Sequence, residues 1–295
     1  ALKIKGESVT EITAGAKVMR QKAEAVALAN YYTVDTCGTG GDKLGTFNIS
    51  TAVAFITAAA GIKVVKHGNR SVSSKSGSAD VLEALGIKID LTPAQTEQCV
   101  KEVGIGFFFA PLYHKAMKYV GPTRKELGFR TIFNILGPLA NPANANAQVL
   151  GVFDERLVEP LANVLMNLGV ERAMVVHGQE GLDELSISAD TLVVEVKEGQ
   201  MSRYILKPED FGLTRVNVEE IMGGDATVNA GIILQLLKGE KGPKREILLL
   251  NAGAAIYVGK GADSLAEGIE RAKEILDNGA ALEKYYALQG LSNQF

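Results

Sequence analysis

Residues 33–66 read TVDTCGTGGDKLGTFNISTAVAFITAAAGIKVVK, and four elements follow one another in this segment. Residues 33–35 and 62–66 have the β-branched, apolar composition of short strands. The alanine-rich run 50–60 predicts a helix that Gly61 ends. A glycine-rich loop joins the first strand to that helix. The order strand, loop, helix, strand is typical of a parallel sheet with helical crossovers, so we predict an α/β fold.

The same alternation returns in the second half of the chain. Strands are predicted there at 149–152, 173–177, 192–196, 202–206 and 247–250, and helices at 156–168, around 230 and from 264; a further helix is predicted earlier, at 78–85. Residues 11–30 have the apolar spacing of a helix, and residues 92–146 are helical or irregular except for a strand-like 107–109. We therefore predict a small helical domain, 1–30 and 92–146, hinged to a larger α/β domain, 31–91 and 147–295, with a central, mostly parallel sheet.

Composition limits the class of protein. The 295 residues carry 31 basic and 34 acidic side chains, a net charge of −3, which argues against an extended nucleic-acid surface. The longest apolar runs, 52–62 and 247–258, are shorter than the roughly 18 residues of a membrane span. Two cysteines, Cys37 and Cys99, form no disulfide framework, so we expect a cytoplasmic protein. The chain begins at Ala1 without a methionine, and we expect the natural protein to start further upstream.

Two polar loops follow successive predicted strands. The loop at 38–42, GTGGD, lets backbone N–H groups approach an anion, although its spacing fits neither the Walker loop nor the dinucleotide fingerprint and a turn without ligand explains it equally well. Residues 66–80 add three cations and five serines, which suit a polyphosphate; the alternative is a solvated basic loop. Because ligands bind at the carboxyl ends of strands in α/β sheets, we expect both loops in one phosphate site.

Two further groups extend this site. Thr46, Asn48, Ser50 and Thr51 enter the helix that follows the first loop, where they either cap it or contact phosphate oxygens and a metal-bound water. Asp183 and Glu184 form an adjacent acidic pair after a predicted strand. Mg²⁺ takes a few carboxylates together with water and substrate oxygens, so this pair suits it, although acidic pairs are also common on loops without a ligand.

Several motifs in the same order resemble anthranilate phosphoribosyltransferases. They are GTGGD at 38–42, NIST at 48–51, KHGNR at 66–70, GSADVL at 77–82, RTIFNILGPL at 130–139 and LDE at 182–184. The resemblance spans nearly the whole chain. It implies a nucleoside phosphorylase/phosphoribosyltransferase-like fold and a homodimer formed through the helical part. It also implies an enzyme of tryptophan biosynthesis that transfers the phosphoribosyl group of phosphoribosyl pyrophosphate (PRPP) to the amine of anthranilate and releases pyrophosphate.

The resemblance also implies roles for individual residues. The predicted PRPP-binding residues are Gly38, Thr39, Gly41, Asp42, Thr46, Asn48, Ser50, Thr51, Lys66 and Ser78. Ser50, Asp183 and Glu184 would bind Mg²⁺, and Asn69 would lie where the two substrates meet. Arg124 would hold the anthranilate carboxylate, with Lys125 as the neighbour most easily confused with it, and His114 and Pro138 would line the anthranilate path. We take Lys66, Asn69 and Arg124 as the catalytic set, since Lys66 can stabilise departing pyrophosphate.

Two alternatives share the predicted architecture. A pyrimidine-nucleoside phosphorylase would use phosphate in place of pyrophosphate, but Arg124 and the block at 134–139 favour anthranilate. A catalytically inactive relative could bind nucleic acid, against which the net charge and the acidic pair argue. Members of the family normally have further helices before the point at which this chain begins, so the resemblance predicts a weaker homodimer if those helices are absent.

Overall fold

Seven strands form one sheet in this computed structural model, which describes residues 2–26, 28–42, 44–71 and 75–295. The strands are β1 (Thr33–Gly38), β2 (Lys63–Gly68), β3 (Ile105–Phe109), β4 (Ala147–Gly151), β5 (Arg172–Gly178), β6 (Thr191–Lys197) and β7 (Gln200–Leu206). Their order across the sheet is β3-β2-β1-β4-β5-β6-β7. The first five are parallel, and β6 and β7 join as antiparallel strands. The predicted α/β fold with a mostly parallel sheet is confirmed.

Thirteen α-helices are found in the described part of the chain. They are α1 (Leu2–Lys5), α2 (Val9–Lys22), α3 (Ile49–Ala59), α4 (Ser78–Ala84), α5 (Pro93–Glu102), α6 (Ala110–Tyr113), α7 (Gly121–Leu127), α8 (Phe133–Leu136), α9 (Val158–Asn167), α10 (Ala226–Leu237), α11 (Pro243–Val258), α12 (Leu265–Asp277) and α13 (Ala280–Ser292). Short 3₁₀ helices lie at Lys115–Tyr119, Gly137–Leu139, Glu155–Leu157, Pro208–Phe211 and Val218–Ile221. None of the described helices is long and apolar enough to cross a membrane.

The sheet is buried on both faces. Successive side chains of a strand point to opposite faces, and along β5 Met174 and Val176 enter one hydrophobic core while Ala173 and Val175 enter another. The larger core is formed with α3, α11, α12 and α13, and the smaller with α2 and α9. Helices therefore cover both faces, as parallel sheets require.

Three details differ from the sequence prediction. Residues 247–250, predicted as a strand, lie within α11; they are fully or almost fully buried, and a short apolar run does not distinguish a buried helix from a strand. The first long helix, α2, ends at Lys22 rather than near residue 30, since Ala23 is already extended. The strand-like residues 107–109 belong to β3, which pairs with β2 and joins the sheet although it falls in the range 92–146. The division into two domains remains a prediction.

The connections between strands create a crevice at one edge of the sheet. β1 lies between β2 and β4, so the chain leaves β1 toward one side first and returns to the other side later. In α/β sheets, ligands bind outside the carboxyl ends of strands at such a reversal. β1, β2, β4 and β5 all end in glycine, at Gly38, Gly68, Gly151 and Gly178. The absence of side chains at these four ends leaves room for polar loops.

Candidate active site

A cleft of about 690 Å³ opens at the carboxyl ends of β1 and β2 and is closed on its far side by the segment 110–138. The structure brings the following predicted site residues to its walls: Gly38, Thr39, Gly41, Ser50, Lys66, Asn69, Ser78, His114, Arg124 and Pro138. The glycine loop and the basic loop thus face the helical residues across one opening. Ser73 and Ser74 of the basic loop lie outside the described residues.

The glycine loop, residues 38–42, has an unusual backbone that requires glycine. Gly40 and Gly41 have positive φ values of 71° and 79°. The N–H of Thr39 donates to the carbonyl of Gly151 at 2.9 Å, and the N–H of Gly40 donates to Asp183 Oδ2 at 2.7 Å. A Cβ atom at Gly38 would clash with the Asp183 carboxylate. The loop is therefore held against β4 and against the acidic pair.

Lys66 projects from β2 into the base of the cleft. It is 3% exposed, and its Nζ donates to the carbonyl of Thr36 at 2.6 Å and to Ser50 Oγ at 3.2 Å. Burial lowers the pKa of Lys66, and the nearby carboxylates of Asp35 and Glu184 oppose that shift. A buried ammonium with few partners interacts strongly with an incoming anion, since little water screens the charge.

An acidic cluster borders the glycine loop. Burial is the largest cause that raises the pKa of Asp183 to about 7, and the neighbouring Asp42 carboxylate adds to it. Burial is also the largest cause that raises the pKa of Glu184 to about 8; the Asp183 carboxylate adds to this shift and Lys66 opposes it. The carboxyl groups of Asp42 and Asp183 share a hydrogen bond. These oxygen donors fit Mg²⁺, which is commonly bound by one or two carboxylates and by substrate phosphates. Among the described residues, no cluster of three or more His, Cys, Asp and Glu side chains has the arrangement of a complete metal site.

The segment that carries the acidic pair connects β5 to β6 and is fixed from behind by α11. Asn251, 2% exposed, accepts the N–H of Leu185 on Oδ1 at 3.0 Å and donates from Nδ2 to the Leu185 carbonyl at 2.8 Å. On the other side a Cβ atom at Gly151 would overlap the Asp183 backbone. Main-chain contacts at Leu185 and Asp183 thus help to place the pair, in addition to the hydrogen bond that the Asp183 carboxylate accepts from Gly40.

Arg124 stands on the opposite wall, in α7. It is partly buried, and its guanidinium lies 5.4 Å from the centre of the Phe133 ring. Burial lowers the pKa of Arg124 below its ordinary value, which still leaves the side chain charged at neutral pH. The side chain of Lys125 lies outside the described part of the structure. Arg124 presents a planar donor group of the kind that binds a carboxylate through two hydrogen bonds.

His114 and His67 meet edge to face below this wall, with ring centres 5.1 Å apart. Burial lowers the pKa of both rings, that of His67 to about 3, so both are neutral at pH 7. Their Nε2 atoms make no hydrogen bond to the described residues. Pro138 lines the same cleft, and its carbonyl accepts a hydrogen bond from Gln148 Nε2 at 2.8 Å. The wall formed by residues 110–138 therefore combines these neutral rings with the cationic side chains of Lys115, Lys118, Arg124 and Arg130.

The remaining predicted residues lie outside the cleft wall: Asp42, Thr46, Asn48, Thr51, Asp183 and Glu184. Asn48 donates to the Ser76 carbonyl at 3.2 Å and accepts from Asn229 at 2.9 Å, so it ties the basic loop to α10. Thr51 is 1% exposed, and its hydroxyl makes no hydrogen bond to the described residues. Thr46 pairs with Met222 in an isolated bridge. These residues support the two loops from behind.

Sequence reasoning did not single out Arg130, which lines the cleft. Its guanidinium lies 3.8 Å from the centre of the Phe153 ring and donates to the Gly41 carbonyl at 2.5 Å. The only available indication was that Arg130 opens the motif at 130–139. Phe153 and Asn251 were also missed, because their importance comes from contacts with residues far away in the chain.

Comparison with known proteins adds independent information. Residues 30–282 match the glycosyl transferase family, a/b domain. An anthranilate phosphoribosyltransferase of Alkaliphilus metalliredigens is 60% identical over 294 residues, which are 100% of this chain and 87% of that protein. The crystal structure of anthranilate phosphoribosyltransferase from Thermus thermophilus matches with a TM-score of 0.93 and 43% sequence identity. The match covers 99% of this chain and 87% of the Thermus chain.

A second solved structure holds ligands. It is anthranilate phosphoribosyltransferase from Saccharomyces cerevisiae in complex with PRPP and Mg. It is 27% identical to this chain with a TM-score of 0.92, and the match covers 100% of this chain and 83% of that one. The likeness therefore extends over the sheet and over the helical wall of the cleft.

Proposed function

This chain belongs to the anthranilate phosphoribosyltransferase family, and we propose from that premise how its cleft performs the reaction. The enzyme is a glycosyltransferase of tryptophan biosynthesis. It transfers the 5-phosphoribosyl group of PRPP to the amine of anthranilate, giving N-(5-phosphoribosyl)anthranilate and pyrophosphate. The observation that carries the mechanism is one cleft that has Lys66 and the glycine loop on one wall and Arg124 on the other.

PRPP is assigned to the wall formed by the strand ends. As the bond to the ribosyl C1 breaks, negative charge grows on pyrophosphate, and the ammonium of Lys66 at the base of the cleft can stabilise it there. Ser50 and Ser78 add hydroxyl donors at the helix starts. The ribosyl centre becomes oxocarbenium-like, as in glycoside cleavage. Stabilisation of the leaving group is therefore the main way in which these residues lower the activation barrier.

Anthranilate is assigned to the opposite wall. Arg124 binds its carboxylate, and Asn69 lies at the junction of the two substrates, with Pro138 and the neutral His114 along the approach. The aniline nitrogen is already unprotonated and carries its own lone pair. The reaction thus needs orientation of the amine toward C1 rather than a general base.

Mg²⁺ is assigned to Ser50, Asp183 and Glu184. The oxygen-only donor set and the raised pKa values of both carboxyl groups support this, since a divalent cation would relieve the repulsion between them. The yeast relative was solved with PRPP and Mg. When bound, the ion would neutralise charge on the pyrophosphate oxygens.

Assembly and location complete the proposal. We assign the enzyme to the cytoplasm and propose a homodimer formed through the helical part. Ile4 in α1 and Val18 in α2, which are 89% and 55% exposed, are the apolar positions through which we propose to test that interface. The helical part is proposed to comprise 1–30 and 92–146 apart from β3, hinged to 31–91 and 147–295.

The relatives named above are anthranilate phosphoribosyltransferases, so they favour this activity over nucleoside phosphorolysis and over a nucleic-acid-binding relative. The deciding experiment mixes the protein with Mg²⁺, PRPP and anthranilate. We expect anthranilate consumption with pyrophosphate release, and little release without anthranilate. Cleavage of thymidine or uridine in phosphate without anthranilate consumption would instead identify a phosphorylase. Absence of turnover together with salt-sensitive binding of DNA or RNA would identify the third possibility.

A further inference from the structure

Arg130 connects the two walls of the cleft. Its backbone lies between α7, which carries Arg124, and α8, so it belongs to the helical wall. Its guanidinium crosses to the other wall, where Nη2 donates to the Gly41 carbonyl at 2.5 Å. The same group lies 3.8 Å from the centre of the Phe153 ring, which follows β4.

Phe153 is itself attached to the glycine loop. Its N–H donates to Thr39 Oγ1 at 3.2 Å. The loop is therefore held at Thr39 by the backbone of Phe153 and at Gly41 by Arg130, while the ring of Phe153 supports Arg130. These contacts join four residues, Thr39, Gly41, Arg130 and Phe153, in a closed circuit around the part of the loop that lines the cleft.

The conformation of Gly41 fits this circuit. Its φ of 79° strains any residue with a side chain, and a Cβ atom there would clash with the Arg130 guanidinium. Glycine at this position thus serves both the turn and the close approach of Arg130. A backbone held in this way is already arranged for an anion, which lowers the entropic cost of binding it.

We propose that Arg130 is a positioning residue that fixes the glycine loop in the conformation that binds the pyrophosphate of PRPP. This inference rests on the proposed function. Its contribution comes from planar geometry, because one guanidinium stacks on Phe153 and donates in its own plane to Gly41. A lysine ammonium supplies the same charge but cannot make both contacts. The substitution Arg130→Lys therefore separates loop positioning from simple attraction of phosphate by a positive charge.

The test compares four variants with the wild type. Arg130→Lys and Arg130→Met should each raise the KM for PRPP about tenfold, and Phe153→Leu should raise it by a smaller factor. The KM for anthranilate should stay within about twofold in all three, whereas Arg124→Ala should raise it far more than the KM for PRPP, because Arg124 is proposed to bind the anthranilate carboxylate. Arg156→Met is the matched control, since Arg156 lies close by, is exposed and pairs with Asp154, and it should leave both constants unchanged.

Calorimetric titration of PRPP with Mg²⁺, without anthranilate, provides a readout independent of turnover. The dissociation constant should rise by the same factor as the KM, while the melting temperatures of Arg130→Lys and the wild type agree. A wild-type PRPP affinity in Arg130→Lys would overturn the proposal, as would an equal rise in both KM values. If Arg130→Met folds poorly, Arg130→Lys and Phe153→Leu still decide the question. A wild-type enzyme that does not turn over PRPP and anthranilate would refute the proposed function instead.

Discussion

Buried charges of opposite sign surround the base of the cleft. Lys66 interacts electrostatically with Asp35 and with Glu184, and burial shifts the pKa of each of the three groups so that the neutral form is favoured. Such a site is costly to fold, because partly paired charges are taken out of water. In the proposed function, substrate phosphates and a cation would complete the pairing and offset this cost. Residue types predicted that Lys66 and the acidic pair would lie near the glycine loop, and the structure brings them together there; their roles toward phosphate and Mg²⁺ remain a proposal.

Asp35 gives a prediction about stability and pH. Burial raises its pKa from 3.8 to about 6 in the folded protein. Between these values the folded state binds more protons than the unfolded state, so the free energy of unfolding should fall as pH rises through this window. The fall attributable to Asp35 is at most about 3 kcal/mol. Urea unfolding at pH 4, 5 and 6 should show a shallower fall in Asp35→Asn, whatever its overall stability; identical slopes would show that Asp35 is not responsible.

The acidic pair gives a prediction about metal response. Asp183→Asn with Glu184→Gln removes both anionic oxygen sets, so turnover should drop by at least tenfold and its dependence on added Mg²⁺ should weaken. A titration of initial rate against Mg²⁺ at fixed PRPP measures both effects. The exposed pair Glu155 and Glu159 offers a control, with the analogous double substitution. An unchanged midpoint in the Asp183/Glu184 variant would remove these residues from the metal site.

At the scale of elements, the site consists of loops attached to strands that end in glycine. Sequence alone predicted β1, the glycine loop and α3, because glycine and alanine signal turns and helices locally. It did not predict how the loop between β5 and β6 is fixed. Asn251 lies in α11, 66 residues from its partner Leu185, within a run whose first residues were predicted as a strand. Contacts between residues so far apart in the chain produce no local sequence pattern from which they could be predicted.

Asn251 therefore supplies a prediction for this element. Asn251→Ala removes both hydrogen bonds to Leu185, next to Glu184, and should lower the free energy of unfolding by about 1–3 kcal/mol. It should also shift the midpoint of the Mg²⁺ titration several-fold upward, because the acidic pair loses its fixed backbone. Asn146→Ala is the matched control: Asn146 accepts the N–H of Thr33 at 2.9 Å, at the end of β1 away from the cleft. A loss of stability without a shift of the Mg²⁺ midpoint in Asn251→Ala would mean that its two hydrogen bonds to Leu185 stabilise the fold but do not position the acidic pair.

At the scale of the whole molecule, catalysis requires two walls built from distant parts of the chain. The sheet supplies one wall and residues 110–138 the other. The alternation of strands and helices in the sequence predicted the sheet that forms the first wall. The helical or irregular sequence after residue 92 predicted the helical segment that forms the second wall. The exact boundary was not predictable, since β3 is short, apolar and flanked by helices, so only pairing with β2 assigns it to the sheet.

Assembly is tested at the same scale. Ile4→Asp with Val18→Asp places charges on the exposed apolar positions of α1 and α2, and should shift the protein from dimer to monomer at micromolar concentration. Sedimentation velocity measures the distribution. Tyr286→Asp is the control, because Tyr286 is 52% exposed on α13 and lies outside the proposed interface. A double variant that sediments like the wild type would place the dimer interface elsewhere or exclude it.

Gly38 and Gly151 stand opposite each other in the register of β1 and β4, and a methyl group at either position would collide with Asp183. A saturation library of this enzyme would therefore rank both glycines among its least tolerant positions, alongside Lys66. Neither supplies a functional group. A screen scored only by loss of activity would therefore identify both glycines as catalytic residues, although their contribution is to leave room for Asp183. A library meant to alter the substrate should hold both glycines fixed and vary residues 110–138 instead.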